Sequence, residues 1–136
     1  MAFRRSQLPD PFYEVNIGYA LTNQTSRPVS TDFCRTPTPP TLEKALAGHR
    51  WASVYSPVVL TCRTEPPVRV ATGATYRGPL AVSGARRRAR MLPVFDADSV
   101  RGVHRLRWVF PAGPNPDDHS APLVEAISPA FRLARP

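Results

Sequence analysis

MLPVFDADSVRGVHRLRWVFPAGPNPDDHSAPLVEAISPAFRL, residues 91–133, carries two strand patterns separated by a turn. Across residues 103–110, Leu106, Trp108 and Phe110 fall on one face and Arg105 and Arg107 on the other. That alternation is the period of a strand with one face buried. The following AGPNPDDHSAP is rich in Pro, Asp and Asn, cannot extend a ladder, and must turn the chain. Beyond it Leu123, Ile127, Phe131 and Leu133 are expected to share a second face, which makes the pair the closing strands of a β-sandwich.

Working outward, Tyr13, Val15, Ile17, Tyr19 and Leu21 alternate with Glu14, Asn16, Gly18 and Ala20, a first strand that ends in the polar turn of residues 22–26. Residues 27–40, RPVSTDFCRTPTPP, are punctuated by proline and read as an ordered surface loop. Thr41 can cap a short helix through Gly48, with Leu42, Ala45 and Leu46 at helical spacing. Further strands are expected over residues 54–62, 68–72, 76–83 and 90–95, with Pro57 placing the first of these at an edge. Parallel sheets need helical crossovers, and the sequence has none to offer. The expected fold is therefore mainly β: a small immunoglobulin-like, Rel-type sandwich with one short helix, in one domain spanning residues 1–136.

Seventeen prolines disfavour long helices and smooth sheets alike, while 42% hydrophobic residues suffice for one modest core. The net charge is +8, and every basic residue except Lys44 is arginine. Arginine offers planar paired donors to phosphates and guanine edges, so the charge points to a polyanion, with general solubility or an acidic protein partner as the plainer readings. Cys34 and Cys62 lack the paired spacing of a zinc or redox site; buried free thiols are expected, a disulfide being the alternative. No signal-peptide core and no apolar run of membrane-spanning length occurs, and Pro9 and Pro11 interrupt any targeting helix at MAFRRSQ, so a soluble chain in a reducing compartment is expected.

The order of short phrases adds a resemblance. Phe95, an acidic turn, Ser99-Val100-Arg101, Gly102, Arg105-Leu106-Arg107-Trp108 and then Ser128-Pro129-Ala130-Phe131 resemble the velvet domain of fungal regulators. Tyr76-Arg77-Gly78-Pro79-Leu80-Ala81-Val82-Ser83, Tyr13-Glu14-Val15-Asn16-Ile17, Arg27-Pro28-Val29 and Pro39-Pro40 are similar to further words of that family in the same order. The resemblance implies a nuclear, DNA-binding transcriptional regulator of fungal development and secondary metabolism. Its partners would be duplex DNA and a second velvet-like chain, in a homodimer or heterodimer.

Candidate DNA contacts follow from charge and from that resemblance. Arg27 stands in a family-like word, and Arg35 joins it by proximity in the same loop. Arg86, Arg87, Arg88 and Arg90 form the densest charge of the chain, a run that suits phosphate binding or nuclear import, or is simply a solvated hairpin tip. Arg101, Arg105 and Arg107 are expected on a solvated or partner-covered sheet surface, and Trp51 and Trp108 as core or half-core anchors. His49, His104 and His119 are scattered, no nucleophile motif occurs, and Asp117-Asp118-His119 sits in a turn where backbone hydrogen bonding is the plainer role. Neither an enzyme, a cofactor nor a metal site is expected. The competing reading is a basic, non-catalytic structural subunit of a large assembly such as a ribosome or capsid.

Overall fold

The computed structural model describes residues 4–5, 12–31, 39–57, 68–85, 95–96, 101–111 and 120–133. In chain order these form β1 (Arg4–Arg5), β2 (Phe12–Thr22), β3 (Val29–Thr31), β4 (Thr41–Ala45), a 3-10 turn at Ala47–His49, β5 (Trp51–Tyr55), β6 (Val68–Val70), β7 (Thr75–Ala85), β8 (Phe95–Asp96), β9 (Gly102–Pro111), β10 (Leu123–Ile127) and β11 (Phe131–Leu133). The protein is mainly β, a small sandwich of two sheets. One sheet has the order β1-β2-β7-β8; the other runs β10-β9-β4-β5, with β11 also paired to β9. A separate two-stranded ladder joins β3 to β6.

Alternation determines what lies between the sheets. Val15, Ile17 and Leu21 of β2 and Leu80 and Val82 of β7 face Leu42 of β4 and Leu106, Trp108 and Phe110 of β9 in a single buried cluster. Tyr19 sets its ring edge against Trp108, with centroids 5.1 Å apart. His104, on the same inward parity as Leu106, is fully buried and stacks on Phe131. Its Nδ1 lies 3.1 Å from the Gly102 carbonyl oxygen, which can only accept, so Nδ1 carries a proton.

The expected helix from Thr41 to Gly48 is not formed. Residues 41–45 are strand β4, held between β9 and β5, and the only helical turn among the described residues is Ala47–His49. The spacing of Leu42, Ala45 and Leu46 fits a helix locally, but so short a helix is marginal alone, whereas a central strand gains ladder partners on both sides. Leu42 inside and Glu43 outside are the strand's alternation. Gly48, expected to end the helix, instead closes the β4–β5 hairpin at a φ of 73°, where Leu46 N–H donates to the Arg50 carbonyl at 2.8 Å.

Two further expectations are corrected. Within the proposed loop of residues 27–40, Val29–Thr31 is a strand, with Val29 buried opposite Val70. On β10, Leu123 and Ile127 point outward, 71% and 47% exposed, while Val124 and Ala126 pack inward. Their phase relative to Phe131 and Leu133 is shifted because the ladder takes an extra residue: Ile127 faces Arg107 and Phe131 faces His104, four steps on one side against three on the other. Pro129, which has no N–H, lies at the break, and Ser128 bridges it: its N–H donates to the Leu106 carbonyl and its Oγ accepts from Leu106 N–H, both at 2.9 Å. The strand expected over 54–62 is found as Trp51–Tyr55 and stops before Ser56 and Pro57, which are in no strand, with 58–62 outside the described residues; the one expected over 90–95 reaches the described residues only at Phe95–Asp96.

Candidate nucleic-acid interface

Arginine is presented in two different ways on this surface. On the outer face of the five-stranded sheet, Arg105 and Arg107 project as the alternation requires, and carboxylates neutralise them. Glu43, buried on β4, accepts from Arg105 Nε at 2.6 Å and lies 3.9 Å from an Arg107 terminal nitrogen, while Arg107 Nε also donates to Glu125. That hydrogen bond and then the Glu125 charge push the already high pKa of Arg107 further up. The guanidinium of Arg105 also stacks 4.3 Å over the ring of Trp51, which is the half-buried of the two tryptophans and serves as a platform on the outer face. With their charge matched, these arginines have little to offer a phosphate.

The turn after β2 is built otherwise. Asn23 is 4% exposed and uses every polar position of its side chain. Its Nδ2 donates to the Arg27 carbonyl at 2.8 Å and to the Val70 carbonyl at 2.9 Å. Its Oδ1 accepts from the Thr25 N–H at 3.0 Å and from the Thr25 hydroxyl at 2.7 Å. The backbone adds Asn23 N–H to the Ala74 carbonyl and Gly73 N–H to the Asn23 carbonyl, at 3.0 and 2.8 Å. Asparagine followed by small polar residues is a turn word, and here it ties residues 23–27 to β6 and to the β6–β7 turn.

This bracing fixes the backbone that carries Arg27. Two residues on, Val29 pairs with Val70, and next to that pair Ser30 faces Arg69, so Arg27 and Arg69 belong to one end of the sandwich. Both are exposed, and neither has an ion pair among the described residues. A second pair of exposed arginines, Arg101 and Arg132, flanks the β9–β11 pairing, where Arg132 faces Val103. Arg35, Arg86, Arg87, Arg88 and Arg90 lie outside the described residues, as do Cys34, Cys62 and Asp117-Asp118-His119. The strand that carries Arg69 is expected over residues 68–72, but nothing in the sequence pairs it with Val29–Thr31, so Arg69 is not among the expected contacts.

Beside this end a cleft of about 760 Å³ opens between β2 and β10. Leu106, Trp108 and Phe110 line it, with Ile17, Tyr19 and Leu21 from one sheet and Val124 and Ala126 from the other. Trp108 is 5% exposed, and its Nε1–H has no acceptor among the described residues. Burial, and secondarily the neighbouring Tyr76, push the Tyr19 hydroxyl up to about 12. Gly78 makes room for both rings: a Cβ there would stand 2.9 Å from Tyr76 Cε1 and 3.0 Å from the Tyr19 hydroxyl oxygen.

The raised Tyr19 value has a definite sign. The neutral phenol is favoured by folding, so its contribution is complete below the ordinary tyrosine value near 10 and is lost as pH climbs through about 12. Urea midpoints measured across that window should fall more steeply for the parent chain than for Tyr19→Phe. Parallel profiles would remove Tyr19 as the group responsible.

Comparison with known proteins gives no matching family model, no matching curated protein and no matching solved structure. Fold and site together define a basic β-sandwich that presents, at a braced end, arginines with no ion pair among the described residues.

Proposed function

We propose that this chain is a non-catalytic DNA-binding β-sandwich that neutralises duplex phosphates with the arginines around its Asn23-braced end. The observation that carries the reading is the contrast just described: Arg105 and Arg107 are matched by Glu43 and Glu125, whereas Arg27 and Arg69 stand exposed on a fixed backbone with no ion pair among the described residues. An arginine held on a rigid turn loses little backbone freedom on binding and reaches a phosphate or a groove edge without disturbing the core. Arg35 and the Arg86, Arg87, Arg88 and Arg90 run lie outside the described residues and stay in this proposal as further phosphate contacts on charge alone; Ala85, which precedes the run, pairs with Phe12 at the end of the β2–β7 ladder opposite Thr22 and the Asn23 turn. The velvet-like word order supports a nuclear regulator acting as a dimer.

Competition between a selected duplex and its scrambled version tests the role of Arg27. If the guanidinium reads guanine, Arg27→Ala lowers the ratio of specific to non-specific affinity by about 1 to 3 kcal/mol and leaves the fold intact. Equal losses on both duplexes reduce Arg27 to a phosphate contact, and no loss on either removes this turn from the interface. One observation favours the assembly-subunit reading instead: Leu123, Val109 and Ile127 expose apolar side chains together on and beside the edge strand β10.

A further inference from the structure

The cleft is walled by backbone as well as by side chains. Gly18, Ala20 and Thr22 have their side-chain positions on the outer face of β2, yet all three line the cleft, so the β2 edge itself forms its rim. Register fixes which groups that edge presents. Gly18 stands opposite Pro79, which has no N–H to exchange, and in an antiparallel ladder bonded and non-bonded pairs alternate. Gly18–Pro79 is therefore a non-bonded pair. Just past the strand end, Asn23, which shares parity with Ile17, Tyr19 and Leu21, donates to Ala74 on the β7 side. The N–H and C=O groups of Asn16, Gly18, Ala20 and Thr22 consequently face away from β7. Among the described residues β1 covers the outer edge of β2 only at Tyr13 and Glu14.

We infer that this slot accepts an extended segment of a partner protein, with apolar side chains at alternate positions and a carboxylate at the end beside Arg27. A strand laid along β2 would take the backbone bonds of Asn16 to Thr22, and its period would send every second side chain inward over Leu106, Trp108 and Phe110. An acceptor on that segment would also meet the buried Trp108 Nε1–H. The charge pattern selects the flank: among the described residues the only carboxylate lining the cleft is Glu125, already bonded to Arg107, and Arg27, two residues past the cleft-lining Thr25, has no ion pair. A small apolar molecule would fill the floor but leave the row of edge groups unused, which is why a strand is the better occupant.

Random peptides displayed on phage, selected on the full chain and then made synthetically, provide the probe. The selected peptide should alternate apolar residues beside an acidic one and should slow hydrogen exchange at Asn16, Gly18, Ala20 and Thr22. Gly18→Pro removes one outward donor without touching the β2–β7 ladder, and a Cβ there meets nothing within 4 Å. Binding should fall about tenfold or more in that variant, the equivalent of one edge hydrogen bond left unmade. Ala126→Phe, which leaves the edge intact and fills the cleft, should weaken binding as well, so the test does not depend on Gly18→Pro folding. Unchanged affinity in both variants, or a bound peptide that leaves those amides exchanging as before, would overturn the inference. Failure to select any alternating peptide would do so too, as would a dimer of this chain that Gly18→Pro dissociates, which would give the slot to a second copy.

Discussion

Trp108→Ala should destabilise the protein by about 3 kcal/mol, the low end of the range for truncating a buried aromatic. The side chain is 5% exposed, holds the edge of Tyr19, and belongs to the one cluster that joins the two sheets. The low end applies because the adjoining cleft leaves the site open on one side, so neighbouring side chains can relax into the space left behind. Trp108→Phe should cost only about 1 kcal/mol, since the aromatic packing is largely kept and the indole N–H has no acceptor to lose among the described residues. Denaturant unfolding of both variants checks this. A Trp108→Ala midpoint equal to that of the parent would contradict the packing of β9 against β2.

Asn23→Ala should cost a comparable amount, about 2 to 3 kcal/mol, for a different reason. The substitution removes one donor from each of two carbonyls. The Arg27 carbonyl keeps the Thr25 hydroxyl, 2.7 Å away, as a donor, but the bond to the Val70 carbonyl is buried and its loss counts in full. Asn23→Asp should be at least as damaging at neutral pH, because a carboxylate oxygen would replace Nδ2 against two carbonyl oxygens. Beyond stability, loosening this turn frees the backbone of Arg27, so both variants should weaken any DNA binding that depends on a fixed Arg27. Retained stability in Asn23→Ala would mean that the turn is held by its backbone bonds alone.

The long strands were legible because their alternation is unambiguous: Val15-Ile17-Leu21 and Leu106-Trp108-Phe110 each show the period over enough residues to specify a face. Short elements were legible only in part: the strand expected over 68–72 is β6, but others were misread. In β4 the five residues TLEKA carry a helical spacing as readily as a strand, and only pairing to β9 and β5 decides between them. For β10 the phase was lost at Ser128-Pro129-Ala130, since an extra residue in the ladder inverts parity without any mark in the apolar pattern. The outward placement of Arg105 and Arg107 follows from alternation, but their neutralisation does not, because the helical spacing of residues 41–48 includes Glu43 and the expected phase of β10 puts Glu125, of the same parity as Leu123 and Ile127, on the inward face. Arg27 was visible as a loop arginine. Its bracing was not, because Asn23 reaches Val70, 47 residues away.

The salt dependence of duplex-DNA binding, compared between the parent chain and two double variants, tests the central claim most directly. If the braced end carries the interface, the Arg27→Ala, Arg69→Ala chain loses affinity on all sequences, and its slope of log affinity against log salt flattens by about 0.9 for each phosphate contact removed. The Arg101→Ala, Arg132→Ala chain, altered by the same charge at the β9–β11 pairing, keeps the parent slope. A parent slope retained when Arg27 and Arg69 are removed, or lost equally in both variants, would contradict the account.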